Sequence, residues 1–140
     1  NELNNLKLKL SLEQGNITVS KSQILWKNDL KIILKEGFIN HDEDKISLIG
    51  KLVIEAKNID NFYKSFQIKK KYRKNINQIE MDFVYNLNNS KFKFDNIKID
   101  GATNKNLSNF IDKYNSRGKV FFNKIIFKNF INNFFISYAG

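Results

Sequence analysis

The side chains that could do chemistry are few in this chain of 140 residues, which contains no Cys and only one His. The absence of Cys excludes disulfides, thiolate metal sites and cysteine nucleophiles. The densest acidic segment runs from Asp42 to Asp44, next to His41. A calcium loop needs spaced oxygen ligands and a glycine, so we interpret this segment as a solvated hairpin tip. Glu80 and Asp82 fall on the polar side of a predicted strand and are expected to face water.

No other pattern in the sequence is typical of an active site. The chain has no glycine-rich phosphate loop, no nucleophile elbow and no spacing of metal ligands. A single His also makes imidazole-based acid–base chemistry and His-ligated zinc improbable. We therefore expect a protein that is not an enzyme, with no catalytic residue, no cofactor and no metal ion.

One short segment concentrates positive charge. Residues 69–74 carry five positive charges in six positions, with Tyr72 among them. Such a segment suits the phosphate of a lipid headgroup or of a nucleic acid, and it could also contact a protein partner. A solvated linker is the competing interpretation. The predicted headgroup or partner patch consists of Lys69, Lys70, Lys71, Arg73 and Lys74.

The net charge of +10 has to be discounted before it indicates a partner. Lys, Asn and Ile, whose codons are A/T-rich, fill 63 of the 140 positions, and Pro is absent. Much of the lysine excess is therefore interpreted as drift in base composition on solvated faces. The chain also has no recognisable reading helix and no aromatic pair of the RNP type. Nucleic acid is accordingly not expected as a partner.

Two periods of apolar residues organise the chain. Alternation with a period of two predicts an antiparallel meander of four strands over 5–56 and a second hairpin over 77–100. The alternation changes phase near Lys21 and Ser22, which a β-bulge would explain. Helical spacing predicts a short helix over 58–67.

The last part of the chain, 106–140, is predicted to be helical. It begins with a short helix after Asn106 and ends in an amphipathic helix whose apolar stripe runs from Phe127 to Tyr138. We expect this last helix to cap one end of the sheet or to dock on a membrane or a partner.

These elements predict an α+β fold. The chain lacks regular βαβ units, which argues against a parallel sheet. We expect a curved antiparallel β-sheet of about six strands in two hairpin or meander groups, with two short helices and a C-terminal amphipathic helix. Whether the second hairpin joins the first sheet is left open. Residues 1–140 are taken as a single domain and, because the first residue is Asn1, as a fragment of a longer chain.

The apolar residues include 13 Phe and permit two interpretations. They form either a fully packed core or one partly uncovered sheet face, which would be a groove for acyl chains. Each CH₂ group gains about 0.8 kcal/mol when it leaves water for such a face. From alternation alone, the predicted lining of the groove is Leu8, Leu10, Ile17, Val19, Met81, Phe83, Phe92 and Phe94.

Several segments also carry a family resemblance through their order along the chain. They are Gly15-Asn16-Ile17, Ile24-Leu25-Trp26, the strand 46–52, Asn61-Phe62-Tyr63 with Phe66-Gln67-Ile68, the strand 79–87, Asn96 to Asp100, and Phe127 to Gly140. This order is similar to that in the C-terminal region of the AsmA-like proteins of Gram-negative bacteria, which resemble bridge-like lipid transfer proteins.

The resemblance implies a non-enzymatic periplasmic module whose sheet groove contributes to phospholipid transport to the outer membrane, or to outer-membrane assembly. It implies phospholipid acyl chains as ligands and a periplasmic or outer-membrane protein as a possible partner. It also implies attachment to the periplasmic face of the inner membrane through an upstream anchor outside this chain. The alternative is a closed-core structural or protein-interaction module that uses the basic patch, and nucleic-acid binding is a distant third.

Overall fold

The computed structural model describes residues 3–7, 10–13, 16–117 and 123–140. These residues form an open, curved antiparallel sheet and three α-helices, so the predicted α+β fold is confirmed. The strands are β1 (Leu3–Lys7), β2 (Leu10–Glu13), β3 (Asn16–Trp26), β4 (Leu30–Asp42), β5 (Lys45–Ala56), β6 (Gln78–Asn86) and β7 (Lys91–Ile99). The helices are α1 (Ile59–Ser65), α2 (Lys105–Arg117) and α3 (Lys124–Ala139), with a 3₁₀ turn at Lys70–Tyr72.

The sheet follows the order of the chain. Strands β3 to β7 pair consecutively, and β1 and β2 both pair with β3, so the sheet is six strands wide. The second hairpin belongs to the first sheet, because β5 and β6 pair from Ser47↔Asn86 to Glu55↔Gln78. The long middle strands therefore form one continuous surface.

The irregularity predicted near Ser22 is present, but it does not lie between β3 and β4. These two strands keep one register on both sides of it, with Ser20 opposite Glu36 and Ser22 opposite Leu34. The register shifts instead against β5, between Leu34 and Glu36. Strands β3 and β4 both contain the irregularity, at the same level of the sheet. The alternation of apolar residues along β3 therefore changes phase there, although the pairing of β3 with β4 keeps one register.

The helix starts follow local capping chemistry. Asn58 accepts a hydrogen bond from the Asn61 N–H (3.1 Å) and is the N-cap of α1. The second helix begins at Lys105, slightly earlier than predicted, because the side chain of Asn104 accepts the Leu107 N–H (2.9 Å). Asn123 caps α3 in the same way.

The two faces of the sheet differ in chemistry. One cross-strand row on the outer face, Glu36–Lys51–Asp82–Asp95, is fully charged. The opposite, inner face is apolar and carries the core, to which α3 contributes Phe134 and Phe135. Helix α3 therefore packs on the inner face of the sheet, whereas the sequence predicted a cap at one end or a docking element.

Candidate functional site

A cavity of about 330 Å³ lies between the inner face of the sheet and helices α1 and α3. All 18 of the described residues that line it are hydrophobic. Those from the strands and the turn before β6 are Trp26, Leu30, Ile32, Leu52, Ile54, Ala56, Ile76, Ile79, Met81, Phe92 and Phe94; those from the helices are Ile59, Phe62, Phe127, Phe130, Ile131, Phe134 and Phe135.

Helix α3 forms one wall of the cavity, and polar contacts fix its position. The side chain of Asn132 donates to the carbonyl of Phe66 just after α1 (3.2 Å). At the C-terminal end of α3, the Asn104 side chain donates to the carbonyl of Tyr138 (3.3 Å). Between them, the ring of Phe135 meets that of Tyr63 edge-on at 4.9 Å. The wall is therefore held by hydrogen bonds at the middle and at the C-terminal end of α3, with aromatic packing between them.

The size and lining of this cavity suit an alkyl chain. Small-molecule pockets begin at about 300 Å³, and an engineered apolar cavity of about 150 Å³ holds one benzene. A cavity of 330 Å³ thus has room for about a dozen carbon atoms on that scale. The described residues that line it offer no acid, base or nucleophile, so the arrangement suits apolar groups.

Among the described side chains that line the cavity, the ring of Trp26 alone carries a strong hydrogen-bond donor. Its Nε1 is buried and has no acceptor among the residues that the structure describes. Buried indole N–H groups normally find a partner. Trp26 is the last residue of β3 and lines the cavity there.

The predicted groove residues of the second hairpin lie at or next to this cavity. Met81, Phe92 and Phe94 line it. Phe83 is buried in the same core, opposite Phe94 in the register and with its ring 6.5 Å from that of Phe92.

The predicted groove residues of the first strands lie elsewhere. Ile17 is 38% exposed and does not line the cavity. Leu10 and Val19 are opposite each other in the pairing of β2 with β3, and only their backbone positions are described. Leu8 lies outside the described residues.

Residues that the groove prediction left out supply most of the site. Five residues of α3 line the cavity: Phe127, Phe130, Ile131, Phe134 and Phe135. The sequence indicated their helical stripe, but the stripe alone did not say which surface it covers. Trp26 was also missed, although its alternation with Ile24 placed it on an apolar strand face.

The basic patch is held in a defined conformation beside the core. Tyr63 donates from its hydroxyl to the carbonyl of Lys74 (2.8 Å), and the Arg73 Nε–H donates to the carbonyl of Ile68 (2.9 Å). Lys71 lies over the Tyr72 ring, with Nζ 4.8 Å from the centroid.

The four lysines of the patch, Lys69, Lys70, Lys71 and Lys74, are exposed, and Arg73 is half-buried. They do not line the cavity. Burial raises the pKa of the anchoring Tyr63 to about 12.

The acidic tip at Asp42 to Asp44 is exposed. Within the described ranges no group of three or more acidic, His or Cys side chains is arranged to hold a metal ion. None of the helices in that same part of the chain has the length and hydropathy needed to cross a membrane.

Comparison with known proteins gives no relative to set beside this geometry. No family model, no curated protein and no solved structure matches the chain. The similarity to AsmA-like proteins therefore stays a prediction from the sequence.

Proposed function

We propose that this chain is a non-enzymatic lipid-handling module that binds an alkyl chain in the cavity between its sheet and α3. The observation that carries the proposal is a space of about 330 Å³ whose lining residues are all hydrophobic. A polar ligand would lose its hydration there without gaining hydrogen bonds, whereas an alkyl chain loses nothing and removes apolar surface from water.

The energetics of an alkyl ligand are favourable. At about 0.8 kcal/mol per methylene, ten buried carbons contribute about 8 kcal/mol. Association opposes this with at least about 4 kcal/mol of lost translational and rotational freedom. The balance allows binding without any strong polar contact, which is consistent with the lining of the cavity.

In the setting that the family resemblance implies, the ligand would be a phospholipid acyl chain. The module would then lie at the periplasmic face of the inner membrane, attached through an upstream anchor. There it would contribute to phospholipid transport to the outer membrane or to outer-membrane assembly, with a periplasmic or outer-membrane protein partner. This setting rests on the resemblance, and the cavity supports only its lipid-binding part.

A closed-core module that binds a protein partner is the second candidate. It is favoured by the fixed conformation of the basic patch, which Tyr63 and Arg73 tie to neighbouring backbone carbonyls. An ordered cationic surface loses less entropy on binding than a flexible one. In this case the cavity would be a packing defect with no ligand.

Occupancy of the cavity separates the two candidates. Ala56 lines the cavity, so Ala56→Leu should partly fill it and lower the affinity for decanol, a neutral alkyl probe, about tenfold or more. Trp26, the only Trp of the chain, also lines it, and its fluorescence reports the titration. Ala102→Leu, at an exposed position outside the cavity, is the matched control.

Native mass spectrometry of protein purified from lipid-containing cells provides the second measurement. We expect a copurifying lipid with the wild type and with Ala102→Leu, and less of it with Ala56→Leu. If the wild-type protein neither retains a lipid nor binds decanol, the cavity is not a ligand site and the closed-core candidate replaces this proposal.

A further inference from the structure

A second depression, of about 240 Å³, adjoins the apolar cavity. Two residues, Trp26 and Phe127, line both spaces. The remaining lining of the depression is Lys27, Ser65, Phe66, Lys124 and Lys128. Three lysines and a hydroxyl therefore lie next to a space with purely hydrophobic walls.

Two different parts of the fold bring the lysines together. Lys27 follows β3 in the turn to β4, where it adopts a positive φ of 47°. Lys124 and Lys128 are four residues apart in the first turns of α3 and so share one face of that helix. The turn is tied to the start of α1, because the carbonyl of Asp29 accepts the N–H groups of Lys57 (2.8 Å) and Asn58 (3.0 Å).

Three aromatic rings stand at the boundary between the two spaces. The centroids of Trp26, Phe66 and Phe127 are 5.8 to 6.0 Å apart in all three pairings. Phe66 faces the depression, and the other two face both sides. Rings at these separations touch one another, so a chain that joined the two spaces would run alongside them, leave the charged side and enter the apolar side.

The electrostatics of the depression favour an anion. Its three lysines are joined by the amino-terminal end of α3, where the helix dipole is positive. Trp26, whose buried N–H has no acceptor among the described residues, lines the same depression, and Lys128 donates to the side chain of Gln67 (2.7 Å). Hydrogen bonds from such donors to a charged acceptor are stronger than those to a neutral one.

We propose that this depression holds the anionic head group, a carboxylate or a phosphate, of a single-chain amphiphile whose alkyl tail occupies the adjoining cavity. The inference rests on the proposed function, since it takes the tail to lie where the alkyl chain binds. It adds the chemical class of the ligand: an anionic lipid with one chain of about ten to twelve carbons inside the protein.

The test compares ligands that share one tail and differ in the head. Decanol, decanoate and decyl phosphate are titrated into the full chain at neutral pH with Trp26 fluorescence and calorimetry, and inorganic phosphate is titrated without a tail. We expect both anions to bind about tenfold more tightly than decanol. Added salt should weaken the anions and leave decanol unchanged. The tighter of the two anions identifies the head group.

Lysine variants test which side chains cause the preference for the anionic ligands over decanol. The triple variant Lys27→Gln, Lys124→Gln and Lys128→Gln should bring the anion-to-alcohol affinity ratio to about one and retain decanol. The matched control removes three exposed lysines elsewhere, with Lys91→Gln, Lys98→Gln and Lys105→Gln. It has the same net charge and should keep the preference.

Each opposite outcome has a distinct meaning. Equal affinity for decanol and decanoate in the wild type would overturn the head-group site and leave the alkyl-binding function standing. No binding of any tailed ligand would overturn the proposed function as well. Inorganic phosphate that binds as tightly as decyl phosphate, or a control triple that loses the preference, would also contradict the site.

Discussion

The inner face of the sheet has a covered region and an open region. The covered region lies under α1 and α3 and includes Ile79, Met81 and Phe94, all buried. The open region lies farther along the same strands; there Ile17 and Ile46 are 38% and 36% exposed. Both regions carry the same alternation of apolar and polar residues, and they differ only in what packs against them.

The lengths of the elements explain this difference. Strand β4 has 13 residues and spans about 43 Å at about 3.3 Å per residue. Helix α3 has 16 residues but spans only about 24 Å. A helix that lies along such strands leaves a large part of their apolar face uncovered, so alternation indicates which face is apolar but not how much of it is buried.

The largest expected effect tests whether packing against the helices determines how much a side chain contributes to the stability of the protein. Phe135 is 2% exposed and packs against Phe62, Tyr63 and Phe134. We expect Phe135→Ala to lower the free energy of unfolding by about 3–5 kcal/mol. Ile46→Ala in the open region should lower it by about 1 kcal/mol or less, because its side chain is already partly in water. Urea denaturation of both variants measures the difference.

A similar loss of stability in both variants would contradict the distinction between the covered and the open region. In that case the open region would have to be covered in solution, for instance by a second copy of the chain. Repeating the denaturation at several protein concentrations identifies this, because the stability of an oligomer depends on concentration.

Local signals made the strands and helix starts predictable. The alternation from Ile79 to Leu87 depends on neighbouring residues only, and the Asn58 cap satisfies an N–H three residues away. The pairing of β5 with β6 was not predictable in the same way. It joins residues separated by a helix and a turn, and no local pattern records that contact.

The candidate site was predictable only in part, for the same reason. Met81, Phe92 and Phe94 follow from alternation, but Phe130 and Phe134 reach the cavity because α3 folds back over the sheet. A helical stripe states that a helix has an apolar face and not which surface receives it. The lysines around Trp26 come from a turn and a distant helix, so their convergence is a property of the fold.

A substitution at the boundary between the two regions is expected to cause a smaller loss of stability. Gly50 lies on β5 opposite Gly37, where the register of β4 shifts. A Cβ at this position would lie 2.5 Å from the carbonyl oxygen of Glu36 and 3.0 Å from a methyl of Leu34. We expect Gly50→Ala to destabilise the protein by about 1–3 kcal/mol, because the backbone of β4 has to move.

Gly50→Ser is the control for this prediction. It adds the same Cβ with a polar atom, so a steric cause predicts a loss of stability at least as large as with alanine. Thermal unfolding of both variants tests this, and an unchanged midpoint with either one would show that the close approach at the boundary is not required by the fold.

The smallest expected effect on stability at neutral pH comes from two buried tyrosines, Tyr63 on α1 and Tyr114 on α2. Burial raises the pKa of Tyr63 and that of Tyr114 to about 12, from 10.0 in an exposed tyrosine. Between these values the folded chain keeps two protons that the unfolded chain releases. Their contribution to stability is therefore complete below about pH 10 and is lost as the pH rises toward 12.

Urea midpoints measured across this alkaline range should fall more steeply for the wild type than for Tyr63→Phe combined with Tyr114→Phe, which has no phenol to ionise at either position. The difference in phenolate absorbance between the two proteins gives an independent readout, since these two tyrosines should ionise near pH 12 and not near pH 10. Equal slopes for the two proteins, or a difference in phenolate absorbance that develops near pH 10, would mean that water reaches these rings. The covered region would then differ less from the open one than its burial indicates, because a phenolate can form inside a folded protein only where solvent or a cation stabilises the charge.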